Sequence, residues 1–312
     1  MGMQAVRVHA YGGPEVLVAE QLDPPSPGPG EVLVQLEAIG VNFIEIYQRT
    51  GQYAVPLPFI PGSEGAGVVV AVGSDVASIA VGDRIASVDL AGAYAGYARV
   101  RAERAVPVPP TVSLEIAAAA LLQGMTAHYL LLDSYPVRSG DAVLIHAAAG
   151  GMGLLLTQLA SHLGARVIAT ASTAAKQAVA RRAGAAEVIE YAEVPDRVRE
   201  LTDGQGVSAV YDGVGAATFD GSLASLRRRG SMVLYGQASG PVPPLDLQRL
   251  NAGGSLTVTR PSLTHFIVTP TELAQRAGDL FDWISDGSLH IEIHQRYPLV
   301  DAAQAHRDLA ER

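Results

Sequence analysis

From Val137 to about Leu256 the sequence alternates short apolar runs with helix-forming ones, and this alternation constrains the fold more than any other feature. The apolar runs are "AVLIHA", "RVIATA", "EVIEY", "AVYDGV" and "SMVLYG". Between them lie "MGLLLTQLASHLG", "AAKQAVARRAG" and "FDGSLASLRRRG", each closing on a glycine suited to a helix C-terminus. Strands separated by helices must pair in parallel, because the helix carries the chain back across the sheet. The expected architecture is α/β, with a doubly wound parallel sheet in this region. The basic run Arg227-Arg228-Arg229, which precedes Gly230, reads as a solvated helix C-terminus, where cations are favoured.

The first strand runs into Ala148-Ala149-Gly150-Gly151-Met152-Gly153. Set against the spacing G-x-G-x-x-G, alanine takes the first place, Gly150 the second and Gly153 the third. Gly150 lets backbone amides approach a pyrophosphate, and Gly153 lets the helix pack against the strand. The helix N-terminus adds free N–H groups and partial positive charge. Gly151 and Met152 complete the turn. The pattern predicts a Rossmann dinucleotide-binding domain.

An acid normally waits about 20 residues beyond the first glycine, to accept from the ribose hydroxyls of NAD. Here that region reads "IATASTAAK". Without a carboxylate nothing repels a 2′-phosphate, while Ser172 can donate a hydrogen bond and Lys176 a charge. Tyr191, ending the next strand, adds a phenol. The expected cofactor is NADPH; the alternative for Lys176 is a solvated lysine at a helix start. Gly236 and Gln237 follow a later strand at the sheet edge where doubly wound folds bind ligands, and join the cofactor candidates.

The 312 residues suffice for about two domains. The first third is strand-like, and "SLEIAAAALLQGMTAHYLLLD" then turns helical behind a Ser113 cap. The expected division is 1–122 with 262–312, and 123–261. A net charge of −9 argues against nucleic-acid partners. Cysteine is absent, which excludes disulfides, thiolate metal sites and cysteine nucleophiles and suits a reducing, cytoplasmic setting. The opening "MGMQAVRVHAYGGPE" holds no apolar signal region, and no apolar run approaches the roughly 20 residues of a membrane span. His290, Glu292 and His294 alternate as on a strand, and a solvated strand face is favoured over a metal site.

"VNFIEIYQRTGQY", "PFIPGSEGAGVV", "LLQGMTAHYLL", "GDAVLIHAAAGGMG" and "TRPSL" together resemble the zinc-independent quinone oxidoreductases of the medium-chain dehydrogenase/reductase superfamily, which include the lens zeta-crystallins. The resemblance implies a GroES-like catalytic domain beside the Rossmann domain, an active site in the cleft between them, reduction of quinones by NADPH, and a dimer formed through the Rossmann domains. Zinc-bearing relatives carry Cys in V-C-x-x-D and His in G-H-E. This sequence has Asn42 and Ser63 at those places, neither a good zinc ligand, so no metal is expected and alcohol oxidation is not expected. The resemblance places Asn42, Tyr47 and Tyr53 near the nicotinamide and the substrate opening, and Thr126 under the nicotinamide. Asn42 can donate to a developing oxyanion or to the nicotinamide ribose. Tyr53 can stack on a flat ring, the alternative for either tyrosine being packing within a loop. The alternatives for the whole protein are an enone or alkenal C=C reductase, and a non-catalytic, crystallin-like NADPH-binding protein. The resemblance also implies a Gly-Lys-containing tail beyond "DAAQAHRDLAER", adding a strand and touching the cofactor; this sequence ends at Arg312.

Overall fold

The computed structural model describes residues 2–311; Met1 and Arg312, the latter marking where the expected tail would begin, lie outside the described residues. The chain divides into two compact units. One comprises Met1–Leu122, Thr269–Ser285 and Ile291–Arg312, the other Gln123–Val268 and Asp286–His290.

The first unit opens with a hairpin, β1 (Met3–Val8) and β2 (Leu17–Leu22), paired antiparallel from Met3↔Leu22 to Val8↔Leu17. β3 (Glu31–Ile39) leads into the short helix α1 (Phe43–Arg49), followed by β4 (Gly65–Val72), β5 (Arg84–Ser87), β6 (Tyr97–Arg101) and β7 (Val106–Pro107). These strands form one antiparallel sheet in the order β6-β3-β4-β5-β7. The β-branched residues Val32, Val34, Val69 and Ile85 alternate into its core, the pattern of a sheet with one buried face.

Helix α2 (Leu114–Tyr129) starts at Ser113, whose Oγ accepts the Ile116 N–H at 3.2 Å. The division between the units falls within α2, and its end continues as a π-helical turn over Leu130–Ser134. Together Leu114–Ser134 make 21 helical residues, long and apolar enough to cross a membrane. The sequence reading allowed no such segment, because it judged unbroken apolar runs, and Gln123, Thr126 and His128 interrupt this one. Two-thirds of its most apolar window is buried within the protein, as in a core helix.

The second unit runs β8 (Ala142–Ile145), α3 (Gly151–His162), β9 (Arg166–Thr170), α4 (Ala174–Arg182), β10 (Glu187–Ile189), α5 (Asp196–Leu201), β11 (Val207–Asp212), α6 (Phe219–Ser225), β12 (Leu226–Leu234), α7 (Gln248–Ala252) and β13 (Thr257–Thr259). All six strands are parallel, in the order β10-β9-β8-β11-β12-β13. Numbered within the unit this is 3-2-1-4-5-6, the doubly wound order with its switch point between β8 and β11. β11 is buried at every position, as a central strand covered on both faces must be. The chain then returns to the first unit with α8 (Pro270–Ser285) and α9 (Ala302–Ala310).

Two local readings are corrected. Arg227-Arg228-Arg229 is not a helix end: α6 stops at Ser225, and the arginines belong to β12. Leu226 pairs with Val207 and Ser231 with Ala209, so β12 spends four residues where β11 spends one. The arginines lie on that bulge, with Arg229 at φ 58° and its N–H bonded to the Gly254 carbonyl at 2.8 Å. His290, Glu292 and His294 lie in no strand. The His290 backbone is satisfied by the Gln158 carboxamide, which accepts its N–H at 2.9 Å and donates to its carbonyl at 3.1 Å. Among the described residues no cluster of three His, Asp or Glu side chains could hold a metal ion.

Candidate active site

The dinucleotide turn joins β8 to α3. Gly150 caps α3 in extended geometry (φ −84°, ψ 168°), and its N–H reaches back to the Ala147 carbonyl at 2.9 Å. The left-handed residue of the turn is Ala147, at φ 51°, a conformation that costs an alanine about 1 kcal/mol. The strained position therefore precedes the slot where a glycine is usual. Ala148 in that slot is fully buried, has no positive φ, and donates its N–H to the Thr170 carbonyl on β9 at 3.1 Å. This explains why alanine suffices there. Gly153 is not replaceable on the same grounds. A Cβ on it would lie 2.2 Å from the Ala147 oxygen and 2.5 Å from the Ala148 Cα. Gly151 faces the side chain of Gln123 on α2, and Thr126 follows one turn later on the same face of that helix. Half-buried Met152 completes the first turn of α3.

Beneath this turn lies a buried polar chain that the sequence reading did not single out. His146 Nδ1 and the Thr170 hydroxyl are 3.0 Å apart, and its Nε2 lies 2.9 Å from the Ser222 hydroxyl. Ser222 and Thr218 both donate to Asp212 Oδ2, while Oδ1 accepts the Val214 and Gly215 N–H groups. Burial pulls the His146 imidazole below its usual pKa, against the opposing pull of Asp212, so the neutral ring ties together the ends of β8, β9 and β11. Tyr191, in a 3₁₀ turn after β10, stacks on His146 with centroids 5.9 Å apart and planes 11° apart. A lone histidine inside an otherwise apolar strand was the available signal.

No carboxylate occurs from Thr170 to Lys176. Ser172 is exposed in the β9–α4 connection, and Thr173 caps α4 by accepting the Lys176 N–H at 3.2 Å. Lys176 makes no ion pair among the described residues and is the only lysine of the 312. A cation in the first turn of a helix opposes the helix dipole unless an anion meets it. Gly236 and Gln237 follow β12 and pack on the loop after β11; a Cβ on Gly236 would lie 2.5 Å from the Gly213 carbonyl oxygen. A glycine cradle, a helix N-terminus and an uncommitted lysine without a nearby acid fit a 2′-phosphorylated dinucleotide.

In the first unit, Asn42 caps α1 and is 4 % exposed. Its N–H donates to Glu45 Oε2 at 2.6 Å, and its Nδ2 donates to Glu64 Oε2, also at 2.6 Å. Glu64 Oε1 accepts the Leu122 N–H at 2.6 Å. Tyr47 lies in α1 rather than in a loop, and its ring is 5.2 Å from that of Tyr53, which is 38 % exposed. Ser63 sits beside Glu64, in the second of the two places where relatives hold zinc. The sequence reading missed the two glutamates, although Asn-x-x-Glu at 42–45 is the spacing of a capping box.

Burial pushes the Glu64 carboxyl up to about 7 and the Glu45 carboxyl up to about 8. Both groups hold their protons more tightly folded than unfolded. Their contribution to stability is therefore complete below about pH 4.5 and is lost as the pH rises through 7 to 8. The expected result is a melting temperature that falls between about pH 4.5 and 8, as the unfolding free energy declines by at most ~1.4 kcal/mol per pH unit for each carboxyl. Glu45→Gln should flatten the fall, as read by thermal melts over a pH series; an unchanged slope contradicts this account.

A model of the alcohol dehydrogenase GroES-like domain matches residues 28–110, and one of the zinc-binding dehydrogenases matches 151–283. These two domains in this order define a medium-chain dehydrogenase/reductase. The quinone oxidoreductase of Pseudomonas aeruginosa is 46 % identical over 98 % of this chain and 96 % of its own length. The chain belongs to the quinone oxidoreductase family. A mycobacterial protein solved in complex with NADPH is 53 % identical, covers 99 % of this chain and 96 % of its own, and superposes with a TM-score of 0.96. A 2-haloacrylate reductase from a Burkholderia species is 41 % identical over all of this chain and 96 % of its own length.

Proposed function

We propose that the protein is a metal-independent NADPH:quinone oxidoreductase. The observation that carries this reading is the pairing of an NADPH-compatible dinucleotide turn with Asn42 and Ser63 where zinc-dependent relatives hold their metal. Gly150, Gly151, Met152 and Gly153 would hold the pyrophosphate, with Ser172, Lys176 and Tyr191 at the adenosine phosphate. Thr126, Gly236 and Gln237 would line the nicotinamide half. Bound NADPH supplies a hydride from its nicotinamide C4.

Asn42 donates a hydrogen bond to the cofactor ribose or to the oxygen where charge develops. Tyr47 and Tyr53, in contact with their rings tilted 57° to one another, offer an aromatic face and a phenol to a planar acceptor. The same reading makes the protein a cytoplasmic homodimer joined through the parallel-sheet unit, whose edge strand β13 pairs on one side only among the described residues. The similarity to the 2-haloacrylate reductase favours one second reading, reduction of an activated C=C bond.

Spectrophotometric assays with 1,4-benzoquinone and 9,10-phenanthrenequinone, against an alkenal and a 2-haloacrylate, each with NADPH and NADH, test the proposal. Quinone turnover with NADPH preferred is the expected result. Turnover of the alkenes alone selects the second reading, and oxidation of NADPH by none of them leaves a binding protein.

A further inference from the structure

We propose that the arginine-walled cleft at the amino ends of β11, β12 and β13 is a second anion site, taking a compact ligand with two or more phosphate groups. It is separate from the dinucleotide turn and does not depend on the oxidoreductase reading.

The cleft measures about 520 Å³ and is lined by Arg199, Arg227, Arg228 and Arg229, with Gln205 and the backbone of Gly204, Leu226 and Gly253. That volume lies within the ~300–1,000 Å³ usual for small-molecule sites. No carboxylate lines it. Four guanidiniums thus converge without a counter-charge in a chain whose net charge is −9.

The charges stay uncancelled for reasons visible in the geometry. Arg199 spends all five N–H bonds on neutral carbonyls: those of Ala224, Gly204, Gln205 and Leu226, at 2.7–3.1 Å. This ties the loop before β11 to the start of β12 and leaves a full positive charge in the wall. Arg227 Nη2 lies 3.9 Å from Asp141 Oδ1, beyond hydrogen-bond reach, and that oxygen already accepts the Ser208 hydroxyl at 2.8 Å. The side chains of Arg228 and Arg229 make no ion pair or hydrogen bond among the described residues.

The backbone holds this arrangement in place. Three consecutive residues on a regular strand alternate between its faces. Here the bulge in β12 breaks the alternation, with Arg229 at φ 58° and its N–H on the Gly254 carbonyl, so that all three line one cleft. A Cβ on Gly254 would lie 3.0 Å from Arg228 Cγ and 3.2 Å from its Cα, so glycine there leaves room for the arginine stem. A non-glycine residue in the left-handed region is costly, and such strain gathers where a ligand is clamped.

The lining also restricts the ligand. Guanidinium forks match phosphate oxygens in pairs, and several forks favour several phosphates over one. No aromatic side chain is present to stack a base. A condensed phosphate and a sugar bisphosphate share the required chemistry. Parallel sheets of this kind bind their cofactor at the carboxyl ends of the strands, where Gly150 and Gly236 stand; the arginines occupy the other end of β12.

The test is calorimetric titration of the metal-free protein with pyrophosphate, tripolyphosphate and fructose 1,6-bisphosphate, with and without saturating NADPH. Orthophosphate and a single-stranded oligonucleotide are titrated beside them at matched ionic strength. One polyphosphate site per chain should persist when NADPH is present, and the tighter of the condensed phosphates and the sugar bisphosphate identifies the source. Arg228→Gln and Arg229→Gln should each weaken it roughly tenfold or more. Arg228→Lys keeps the charge without the fork and should recover part of that loss. Arg307→Gln, which removes an exposed arginine of α9 in the other unit, should change the affinity by less than about twofold. The polyphosphate should raise the melting temperature of wild type and not that of the Arg228→Gln/Arg229→Gln double variant. Loss of all polyphosphate binding once NADPH is added, or equal affinity in the cleft variants and Arg307→Gln, overturns the proposal. So does orthophosphate binding as tightly as tripolyphosphate, or the oligonucleotide binding more tightly than either, which would make the arginines a general screen or a nucleic-acid surface. Failure of NADPH itself to bind, with the polyphosphate site intact and sensitive to Arg228 and Arg229, counts against the oxidoreductase reading alone.

Discussion

Gly153→Ala should lose roughly 5- to 150-fold in NADPH affinity, the equivalent of about 1–3 kcal/mol of overpacking. The added methyl meets backbone on two sides, the Ala147 oxygen at 2.2 Å and the Ala148 Cα at 2.5 Å. Neither can move without opening the bend, because Ala147 is already in the left-handed region and Ala148 is tied to β9. Opening the bend withdraws the amides of α3 from the phosphates they would bind. Gly151→Ala is the matched control. Its methyl meets the Gln123 Oε1 at 2.3 Å, the far end of a side chain that can swing aside, so affinity should change by no more than about threefold. Fluorescence titration of both variants decides the matter, with thermal melts to confirm folding. Equal losses in the two would mean that the turn is sensitive to bulk in general and not to the strand–helix approach.

Lys176→Ala should raise the dissociation constant for NADPH by roughly 10- to 100-fold and leave that for NADH unchanged. A charge-assisted hydrogen bond to a phosphate contributes about 1.5–3 kcal/mol. Lys176 spends its ammonium on no carboxylate among the described residues, so the full interaction is available to a ligand. Ser172→Asp should act in the opposite sense on NADH, by restoring the ribose acceptor and repelling a 2′-phosphate. Calorimetric titration of both cofactors with each variant checks the pair. An equal loss of both cofactors in Lys176→Ala would show a general weakening of α4 and no selection of the phosphate.

The parallel-sheet unit was legible because each of its signals agrees with the others. Apolar runs of strand length alternate with helical ones, and Gly164 and Gly184 sit at φ 84° and 109° just past α3 and α4. The arginine run misled because its residues favour helix and Gly230 resembles a stop signal. The deciding interactions are long-range, the pairing of β12 with β11 and the bond from Arg229 to Gly254, and neither leaves a local mark. "LHIEIH" misled in another way: alternation describes a strand only when a neighbouring strand offers a ladder, and here Gln158 satisfies the backbone instead. At the site, the spacing of Gly150 and Gly153 and the missing acid could be read directly. The burial of Glu45 and Glu64 could not, since Glu45 reads as an ordinary acid in the first turn of a helix, Glu64 stands between Ser63 and Gly65, and Glu64 meets the Leu122 N–H from a segment distant along the chain.

All but one of the 22 basic side chains are arginines. Reagents and enzymes that acylate ε-amines consequently have a single internal target, the side chain proposed to distinguish the two cofactors. Acetylation there would abolish one positive charge and leave every arginine contact in both units intact, so a change in cofactor choice could be imposed on the finished protein without altering a codon.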